Sequence, residues 1–394
     1  MSFLKTKMKL LSPLTQNDLQ GKRVLVRADF NVPLSNGTIT DDTRIRATIP
    51  TLQHILQCGG SVVLCSHLGR PDGVPQKKYS LAPVARHLST LLGKDVRFLP
   101  NPLGEKGVAP GEVVLLENTR FFAEEEENVP LFSALLANGC DLYVNDAFGA
   151  AHRAHASTAG VTGFLPGYAG LLLEREVAVL SEGMKNPEHP LVLVLGGAKM
   201  KTKIGVLKSF VNTADSIILG GGIANTFLAA TGVNVQESLY EEKEIDTAKE
   251  ILDQATKSLC SVLLPIDAVV AKDTAEANNA RQCSVHELTS GEKIFDIGTE
   301  TQKKFSEKIH SAKTVLWNGP VGLSEVSPFE AGTKALTEAM VKSGAKVILG
   351  GGDTLEAVAR LGFAEDKFFH VSTGGGAMLE LLEGKELPGV TAVS

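Results

Sequence analysis

The chain has 394 residues, of which 43% are hydrophobic, 21% are charged and 5% are aromatic, and its formal net charge is −6. This is the composition of a soluble globular protein long enough for two domains, and the acidic balance argues against a nucleic-acid binder. The five cysteines form no CxxC pair, so neither a zinc ribbon nor a disulfide framework is indicated and we expect a reducing compartment.

The N-terminal stretch "MSFLKTKMKLLSPL" has lysines but no apolar core long enough for a signal peptide. No later stretch approaches the length of apolar sequence that crosses a bilayer. We therefore predict a cytoplasmic protein without a membrane partner.

Ten short apolar runs recur along the chain, with helical patterns between them, which predicts a parallel α/β architecture. The runs are "RVLVRADF", "SVVLCSH", "EVVLLEN", "DLYVNDAF", "LVLVLGG", "SIILGGG", "SVLLPIDAVV", "TVLWNGP", "KVILGGG" and "FFHVSTGGG". Ten strands are too many for one open sheet, so two doubly wound parallel-sheet domains are favoured. A (β/α)₈ barrel is the structural alternative.

Polar and basic residues follow the first four predicted strands. Each of the four strand ends bears a cation, contributed by Arg44, the pair His67 and Arg70, Arg120, and Arg153. Because parallel strands present their carboxyl ends at one edge of the sheet, these side chains are predicted to converge on a crevice that binds an anion. Asp29 and Asn31 follow the first strand and could hold hydroxyl groups.

Two other charged patterns in the first half receive structural interpretations. His152 and His155 have HxxH spacing but no evident third ligand, so packing or anion contact is favoured over zinc. The segment "AEEEEN", residues 123 to 128, is interpreted as a solvated acidic surface patch.

The segment "GYAGLLLEREVAVLSEGMKNPEHP" carries an apolar stripe at helical spacing, formed by Ala169, Leu173, Val177 and Leu180. We predict a helix from about Gly170 to Gly183 that connects the two domains. The alternative is one more crossover helix.

In "LVLVLGGAKMKTKIGVLKS" a buried strand runs through two glycines into a series of lysines. Lys199 and Lys203 are predicted to share one face within the first two turns of a helix, where the macrodipole disfavours cations unless an anion binds there. A solvated lysine face is the alternative, and the P-loop motif GxxxxGK[ST] is absent.

The second half repeats a strand, a glycine-rich turn and a helix at "LGGAK", "LGGGIANTF", "LGGGDTLEA" and "STGGGAMLE". Such turns at strand ends let backbone N–H groups approach phosphate closely, so we predict a nucleotide on this face. None of the four matches GxGxxG, which weakens a dinucleotide interpretation.

Nine motifs lie along the chain from about residue 24 to 377. They are, in order, "VRADFNVP", "SHLGRPDG", "LENTRF", "NDAFGAAHRAH", "LGGAKMKTKI", "LGGGIANTFL", "WNGPVG", "GGGDT" and "HVSTGGGA". In these motifs and their order the chain resembles the phosphoglycerate kinase family. The resemblance implies a two-domain monomer that transfers a phosphoryl group reversibly from 1,3-bisphosphoglycerate to MgADP, giving 3-phosphoglycerate and MgATP.

The resemblance also implies the site residues, matched motif by motif. The glycerate ligand would be held by Asp29, Phe30, Asn31, Arg44, His67, Leu68, Gly69, Arg70, Arg120 and Arg153. The nucleotide would be held by Gly197, Ala198, Lys199, Lys203, Asn318, Glu325, Gly351, Gly352, Asp353 and Thr354. Arg44, Lys203, Gly352 and Gly375 would act on the group in transfer, and Asp353 would bind Mg²⁺.

The implied organisation is a glycerate-phosphate domain of residues 1–169 with a C-terminal return of 378–394, a hinge helix of 170–184 and a nucleotide domain of 185–377. The chain departs from the family pattern at Ser324, where an aromatic residue usually precedes the glutamate that contacts the ribose. The packing around the ribose at Glu325 is therefore open.

The sequence has no HRD-like loop and no evident general base. The attacking group of the substrate is a carboxylate with a reference pKa of about 3.5, which is already ionised at neutral pH, so no general base is required. Catalysis would then consist of positioning, charge neutralisation and domain closure around an acyl phosphate. Two alternatives are an NAD-dependent dehydrogenase, although its GxGxxG motif is absent, and a non-catalytic nucleotide-binding scaffold.

Overall fold

Runs of buried apolar residues form two six-stranded parallel sheets, one in each half of the chain. The structure is a computed structural model that describes residues 8–35, 37–104 and 106–394. Its chain divides into two units, one that ends at Glu182 and includes Lys385–Ser394, and one that comprises Gly183–Gly384. Each parallel sheet lies in one of these units.

The strands of the first unit are β1 Arg23–Arg27, β2 Leu34–Ser35, β3 Thr38–Ile39, β4 Ser61–Cys65, β5 Val96–Leu99, β6 Val113–Leu116, β7 Leu142–Asn145 and β8 Gly167–Ala169. Six of them form a sheet in the spatial order β5-β6-β4-β1-β7-β8, and β2 pairs with β3 in a short antiparallel hairpin. The order places the carboxyl ends of β6, β4, β1 and β7 side by side.

The strands of the second unit are β9 Leu191–Leu195, β10 Ser216–Leu219, β11 Ser261–Leu263, β12 Asp267–Ala271, β13 Arg281–Ser284, β14 Lys293–Ile297, β15 Thr314–Asn318, β16 Lys346–Gly350 and β17 His370–Ser372. The parallel sheet has the order β11-β10-β9-β15-β16-β17, and β13-β12-β14 form a separate antiparallel sheet. The strand order again brings the ends of β9, β15 and β16 together.

The α-helices alternate with the strands. They are α1 Gln16–Leu19, α2 Thr43–Gln57, α3 Ala82–Leu92, α4 Ala123–Glu126, α5 Pro130–Ala137, α6 Leu171–Val177, α7 Ile204–Phe210, α8 Gly221–Ala230, α9 Ile245–Ser258, α10 Thr299–His310, α11 Ala331–Ser343, α12 Gly352–Arg360, α13 Gly375–Leu382 and α14 Pro388–Thr391. None of the described helices combines the length and the apolarity that crossing a bilayer requires.

The prediction of two parallel-sheet α/β domains is confirmed, and the (β/α)₈ barrel is wrong. The run "SVLLPIDAVV" is not one strand. It is divided around Pro265, which lacks a backbone N–H, so that β11 joins the parallel sheet and β12 joins the antiparallel one. Its two halves therefore serve different sheets.

The connecting segment begins as α6 and continues as a π-helix over Ala178–Glu182. Ala169, predicted to start the apolar stripe, lies in β8 instead. The carboxylate of Asp146 accepts hydrogen bonds from the N–H groups of Leu172 (2.9 Å) and Leu173 (3.4 Å) at the start of α6, and burial raises the pKa of Asp146 to about 7. The helix is thus anchored in the first unit.

The C-terminal return begins later than residue 378. Residues 375–382 form the single helix α13 in the second unit, and the chain re-enters the first unit from Lys385. There the Asn145 side chain donates to the carbonyl oxygen of Gly389 (2.8 Å), which fixes the return beside β7.

Candidate active site

The loops after β1, β4, β6 and β7 form a polar cluster in the first unit. Arg44, in the first turn of α2, places Nη1 3.3 and 3.2 Å from the two carboxylate oxygens of Asp29 and 3.2 Å from the carbonyl oxygen of Asn31. The Asn31 side chain accepts a hydrogen bond from the Gly69 N–H (2.9 Å). Residues that follow two neighbouring strands are therefore held in one network.

His67 is buried in this cluster and is uncharged. Burial, followed by the positive charges of Arg27, Arg120 and Arg44, lowers the pKa of His67 well below its ordinary value. Its Nδ1 lies 3.2 Å from Nη2 of Arg27, which is a donor only, so Nδ1 accepts and the ring proton is on Nε2. His67 can therefore offer Nε2–H to an anion without adding a charge.

Arg120 and Arg153 share a carboxylate that the sequence had not assigned to the site. Glu126 Oε1 lies 3.0 Å from Nε of Arg120 and 3.7 Å from Nη1 of Arg153. Arg120 is buried, and its Nη1 donates to the carbonyl oxygen of Gly69 (2.9 Å). These contacts link the β6 and β7 loops to the β4 loop.

The interpretation of "AEEEEN" as a solvated patch is wrong for Glu125, which has no exposed surface. Its carboxylate accepts hydrogen bonds from the hydroxyl (2.5 Å) and the N–H (3.0 Å) of Ser157, and the same hydroxyl accepts from Nε of Arg27 (2.7 Å). A buried chain of hydrogen bonds therefore connects Glu125 through Ser157 to Arg27 and on to His67.

A cleft of about 350 Å³ lies at the ends of β9, β15 and β16 in the second unit. Its lining residues are Gly197, Ala198, Lys199, Thr202, Lys203, Asn318, Gly319, Gly351, Gly352, Asp353, Thr354, Gly375 and Leu379. The helices α12 and α13 begin at Gly352 and Gly375, so free N–H groups and two helix N-termini are directed at one space. The cleft is suited to phosphate groups.

Lys203 is the buried cation of this cleft. Its Nζ donates to the carbonyl oxygens of Gly196 (2.9 Å) and Asn318 (2.7 Å), and burial lowers the pKa of Lys203 to about 7, against the opposing charge of Asp353. The prediction that Lys199 and Lys203 share one helical face is wrong, because Lys199 is extended and α7 begins only at Ile204. Both lysines nevertheless line the cleft.

Two glycines make this packing possible. A Cβ on Gly319, whose φ is +96°, would lie 2.6 Å from Lys203 Nζ and 2.3 Å from the Gly196 carbonyl oxygen. A Cβ on Gly351, whose φ is +100°, would lie 2.8 Å from the Asn318 amide nitrogen. A side chain at either position would displace the groups that line the cleft.

Comparison with known proteins finds relatives that cover nearly the whole chain. Residues 14–385 match the family model described as phosphoglycerate kinase. The chain belongs to the phosphoglycerate kinase family. It is 48% identical to a phosphoglycerate kinase of Dictyoglomus turgidum over 98% of both chains, and 49% identical to one of Chloroflexus aurantiacus over 95% and 97%.

Solved phosphoglycerate kinases share the fold. The structure from Coxiella burnetii is 43% identical with a TM-score of 0.88 and covers 98% of this chain and 99% of its own. That from Pyrococcus horikoshii is 30% identical with a TM-score of 0.85, covering 98% of each. The chain is therefore an enzyme with the activity of a phosphoglycerate kinase, a phosphotransferase of the class EC 2.7.2.3.

Not every predicted residue of the kinase site makes a contact that identifies its role. Arg70 is exposed. The N–H groups of Phe30 and Leu68 donate to Ser66 Oγ (2.9 Å) and Asn118 Oδ1 (3.2 Å), so these two residues shape the loops through backbone bonds. Ser66 and Asn118 are supports that the sequence analysis missed.

The departure from the kinase pattern at Ser324 has a structural counterpart. Ser324 is buried, and its hydroxyl oxygen accepts a hydrogen bond from Nη2 of Arg360 (3.3 Å). Glu325, predicted to contact the ribose, is exposed and is not among the residues that line the cleft. Its role stays a prediction.

The donor set of the cleft fits a magnesium ion that arrives with a nucleotide. Asp353 is exposed in the first turn of α12 and lines the cleft. No group of three or more metal-ligating side chains is found among the described residues. Mg²⁺ typically binds through one or two carboxylates, waters and substrate phosphates, which is the arrangement that a single carboxylate here allows.

Proposed function

We propose that the cluster around Arg44, Arg120 and Arg153 binds 3-phosphoglycerate or 1,3-bisphosphoglycerate, and that the cleft around Lys203 binds ADP or ATP. The supporting observation is that each unit holds its own anion-suited site at the carboxyl ends of its parallel strands. One site offers guanidinium groups, which pair with carboxylate and phosphate in fixed geometry, and the other offers lysines and helix N-termini. A phosphotransferase needs such a pair of sites.

We call the cluster around Arg44, Arg120 and Arg153 the acid site. Arg120 donates a hydrogen bond to the Gly69 carbonyl oxygen, so its guanidinium group is oriented before a ligand arrives. His67 offers its Nε2–H, and Arg44 offers donors beyond those that bind Asp29. The ligand's carboxyl or phosphate oxygens would accept these bonds, and Asp29 and Asn31 would meet its hydroxyl.

The chemical step is a transfer between two oxygens. When ATP is formed, a β-phosphate oxygen of ADP attacks the acyl phosphate, the bond from phosphorus to the carboxyl oxygen breaks, and the carboxylate leaves as an anion. No proton has to be removed, so no general base is required. Lys203, Arg44 and the N–H groups at Gly352 and Gly375 would neutralise the charge on the transferring group.

We propose that Asp353 holds the magnesium ion of the nucleotide. The ion, when bound, neutralises phosphate charge and orients the polyphosphate. Asp353 contributes the one carboxylate, while Thr354 fixes the turn beneath it by accepting from the Gly319 N–H (2.7 Å) and donating to the Gly350 carbonyl (3.1 Å).

The decisive experiment is coupled ATP formation from 1,3-bisphosphoglycerate and MgADP with the purified chain. We expect turnover that depends on both substrates and on Mg²⁺. Binding of both ligands without turnover would favour a nucleotide-binding scaffold, and reduction of NAD would favour a dehydrogenase.

Arg70→Ala and Arg153→Ala are each expected to weaken 3-phosphoglycerate binding by roughly tenfold or more, because each removes a guanidinium group that would donate charged hydrogen bonds to the ligand. ADP binding should stay within about twofold in both variants. Isothermal titration with each ligand measures this, and sulfate should compete with 3-phosphoglycerate in the parent protein. Unaltered 3-phosphoglycerate affinity in both variants would remove the cluster from the acid site.

Nucleotide binding is expected to take up protons near pH 7. Burial lowers the pKa of Lys203 to about 7, so part of the amine is neutral before a nucleotide binds, and nearby phosphates would raise its pKa and complete its protonation. The uptake should shrink toward zero at pH 5.5. Calorimetry in buffers of different ionisation enthalpy measures it, with Lys203→Met as the control that should take up none.

We propose that the connecting helix α6 and the C-terminal return act as hinges, and that closure needs both ligands. Each empty site carries positive charge that its own ligand neutralises. Small-angle scattering should show a smaller radius of gyration with MgADP and 3-phosphoglycerate together than with either alone. Identical curves for the free and the doubly liganded protein would argue for a rigid site.

We propose further that the enzyme is a cytoplasmic monomer whose partners are these small substrates, without nucleic acid or membrane. All five cysteines are free thiols, in keeping with a reducing compartment, and the net charge of −6 disfavours nucleic acid.

A further inference from the structure

We propose that Glu126 is a built-in counter-anion that competes with the substrate for Arg120 and Arg153 and so tunes the affinity of the acid site for anions. The inference rests on the proposed role of those arginines in substrate binding. It starts from the position of Glu126 Oε1, 3.0 Å from Nε of Arg120 and 3.7 Å from Nη1 of Arg153. One oxygen of the Glu126 carboxylate thus lies close to both arginines that are proposed to bind the ligand.

The contact with Arg120 is close but poorly aligned. Arg120 is only 6% exposed, and although its Nε lies within 3.0 Å of the Glu126 oxygen, the geometry does not make a hydrogen bond, which leaves the buried Nε–H without an acceptor. A buried donor with a charge nearby and no aligned acceptor gains free energy when a better placed oxygen arrives. Glu126 therefore neutralises Arg120 without satisfying it.

Glu126 is held in place by its neighbour. It is the last residue of α4, and the preceding Glu125 is fixed in the interior by the two hydrogen bonds from Ser157. The Glu126 side chain is 42% exposed and that of Arg153 is 36% exposed, so the carboxylate can turn into solvent when an anion takes its place. The backbone need not move for this exchange.

The arrangement makes the arginines select against weakly charged anions. An incoming group must replace an internal carboxylate before it can bridge Arg120 and Arg153, so a phosphate dianion gains more than a monoanion does. The same competition shortens the time for which a tightly held anionic product stays bound. The four glutamates of "AEEEEN" thus include one structural residue, Glu125, and one competitor, Glu126.

The test is isothermal titration of Glu126→Gln with sulfate and with 3-phosphoglycerate at constant ionic strength. Loss of a half-exposed pair should make both ligands bind roughly fivefold more tightly. Glu127→Gln is the matched control, since it removes the same charge from the next, exposed residue, and it should stay within about twofold. Unchanged or weaker binding of both ligands to Glu126→Gln would overturn the proposal.

A double-mutant cycle separates this inference from the proposed function. The tighter binding caused by Glu126→Gln should disappear when Arg120 is also replaced by Ala. If Arg120→Ala alone leaves 3-phosphoglycerate affinity unchanged, the acid-site assignment fails. If Arg120→Ala weakens binding but Glu126→Gln does not strengthen it, only the competitor role of Glu126 fails.

Discussion

In the Lys203→Ala variant, kcat is expected to fall by roughly a hundredfold or more, while 3-phosphoglycerate binds within about twofold of its normal affinity. Lys203 is the buried lysine of the cleft at the ends of β9, β15 and β16, and its Nζ donates to the carbonyl oxygens of Gly196 and Asn318. A preorganised charge of this kind costs no reorganisation when the transferring group develops negative charge. Its loss should therefore affect the transition state more than the ground state.

Lys201→Ala is the matched control, because it removes an exposed lysine two residues away. Its kcat should stay within about twofold of the parent value. Steady-state kinetics with saturating MgADP, together with titration of 3-phosphoglycerate, gives both quantities. A Lys203→Ala enzyme with near-normal kcat would show that the chemistry does not pass through this lysine.

The convergence of the acid-site residues could be predicted because the parallel strands of one sheet determine where the loops that follow them lie. Once "RVLVRADF", "SVVLCSH", "EVVLLEN" and "DLYVNDAF" are parallel strands of one sheet, their following loops must share an edge, and Asp29, His67, Arg120 and Arg153 come with them. The cleft around Lys203 was predictable for the same reason, from glycine-rich turns after neighbouring strands.

What could not be predicted depends on partners that are distant in the sequence. Glu125 looks like the other three glutamates of "AEEEEN", but it is buried, and its hydrogen-bond partner Ser157 is 32 residues away. The orientation of Lys203 depends on Asn318, 115 residues away. A local run of charged residues shows how many charged side chains are present, but it does not show which of them has a hydrogen-bond partner in the protein interior.

The antiparallel sheet was missed for a different reason. Its strand β13, "RQCS", has two exposed residues and little apolar character, so nothing in its own sequence distinguishes it from a loop. β13 and β14 are strands because β12 pairs with both. Similarly, the sequence shows that Ser324 departs from the family pattern, but it does not show that the Ser324 hydroxyl accepts a hydrogen bond from Arg360. That bond depends on where the fold places α12, which ends at Arg360.

The second large expected effect concerns stability. Glu125→Ala should lower the free energy of unfolding by roughly 3–5 kcal/mol, because Arg27, only 1% exposed, would lose the carboxylate that its Ser157 bridge connects it to. Urea unfolding followed by far-UV circular dichroism measures the loss. Trp317, the only tryptophan in the sequence, lies in the second unit, whereas Glu125 lies in the first. Its fluorescence therefore reports unfolding of the second unit, and a circular dichroism transition that precedes it would show that the first unit unfolds first.

Glu125→Gln distinguishes the two physical reasons for this loss. Glutamine keeps nearly the same volume and can still accept a hydrogen bond from Ser157, so a penalty due to a cavity would largely vanish in that variant. A penalty due to a buried arginine without a counter-charge would remain, at roughly 2 kcal/mol or more. Glu124→Ala, at an exposed neighbouring position, should change the free energy of unfolding by no more than about 0.5 kcal/mol. If Glu125→Ala proved as stable as Glu124→Ala, the hydrogen-bond chain from Glu125 to Arg27 would contribute nothing to holding the acid site together.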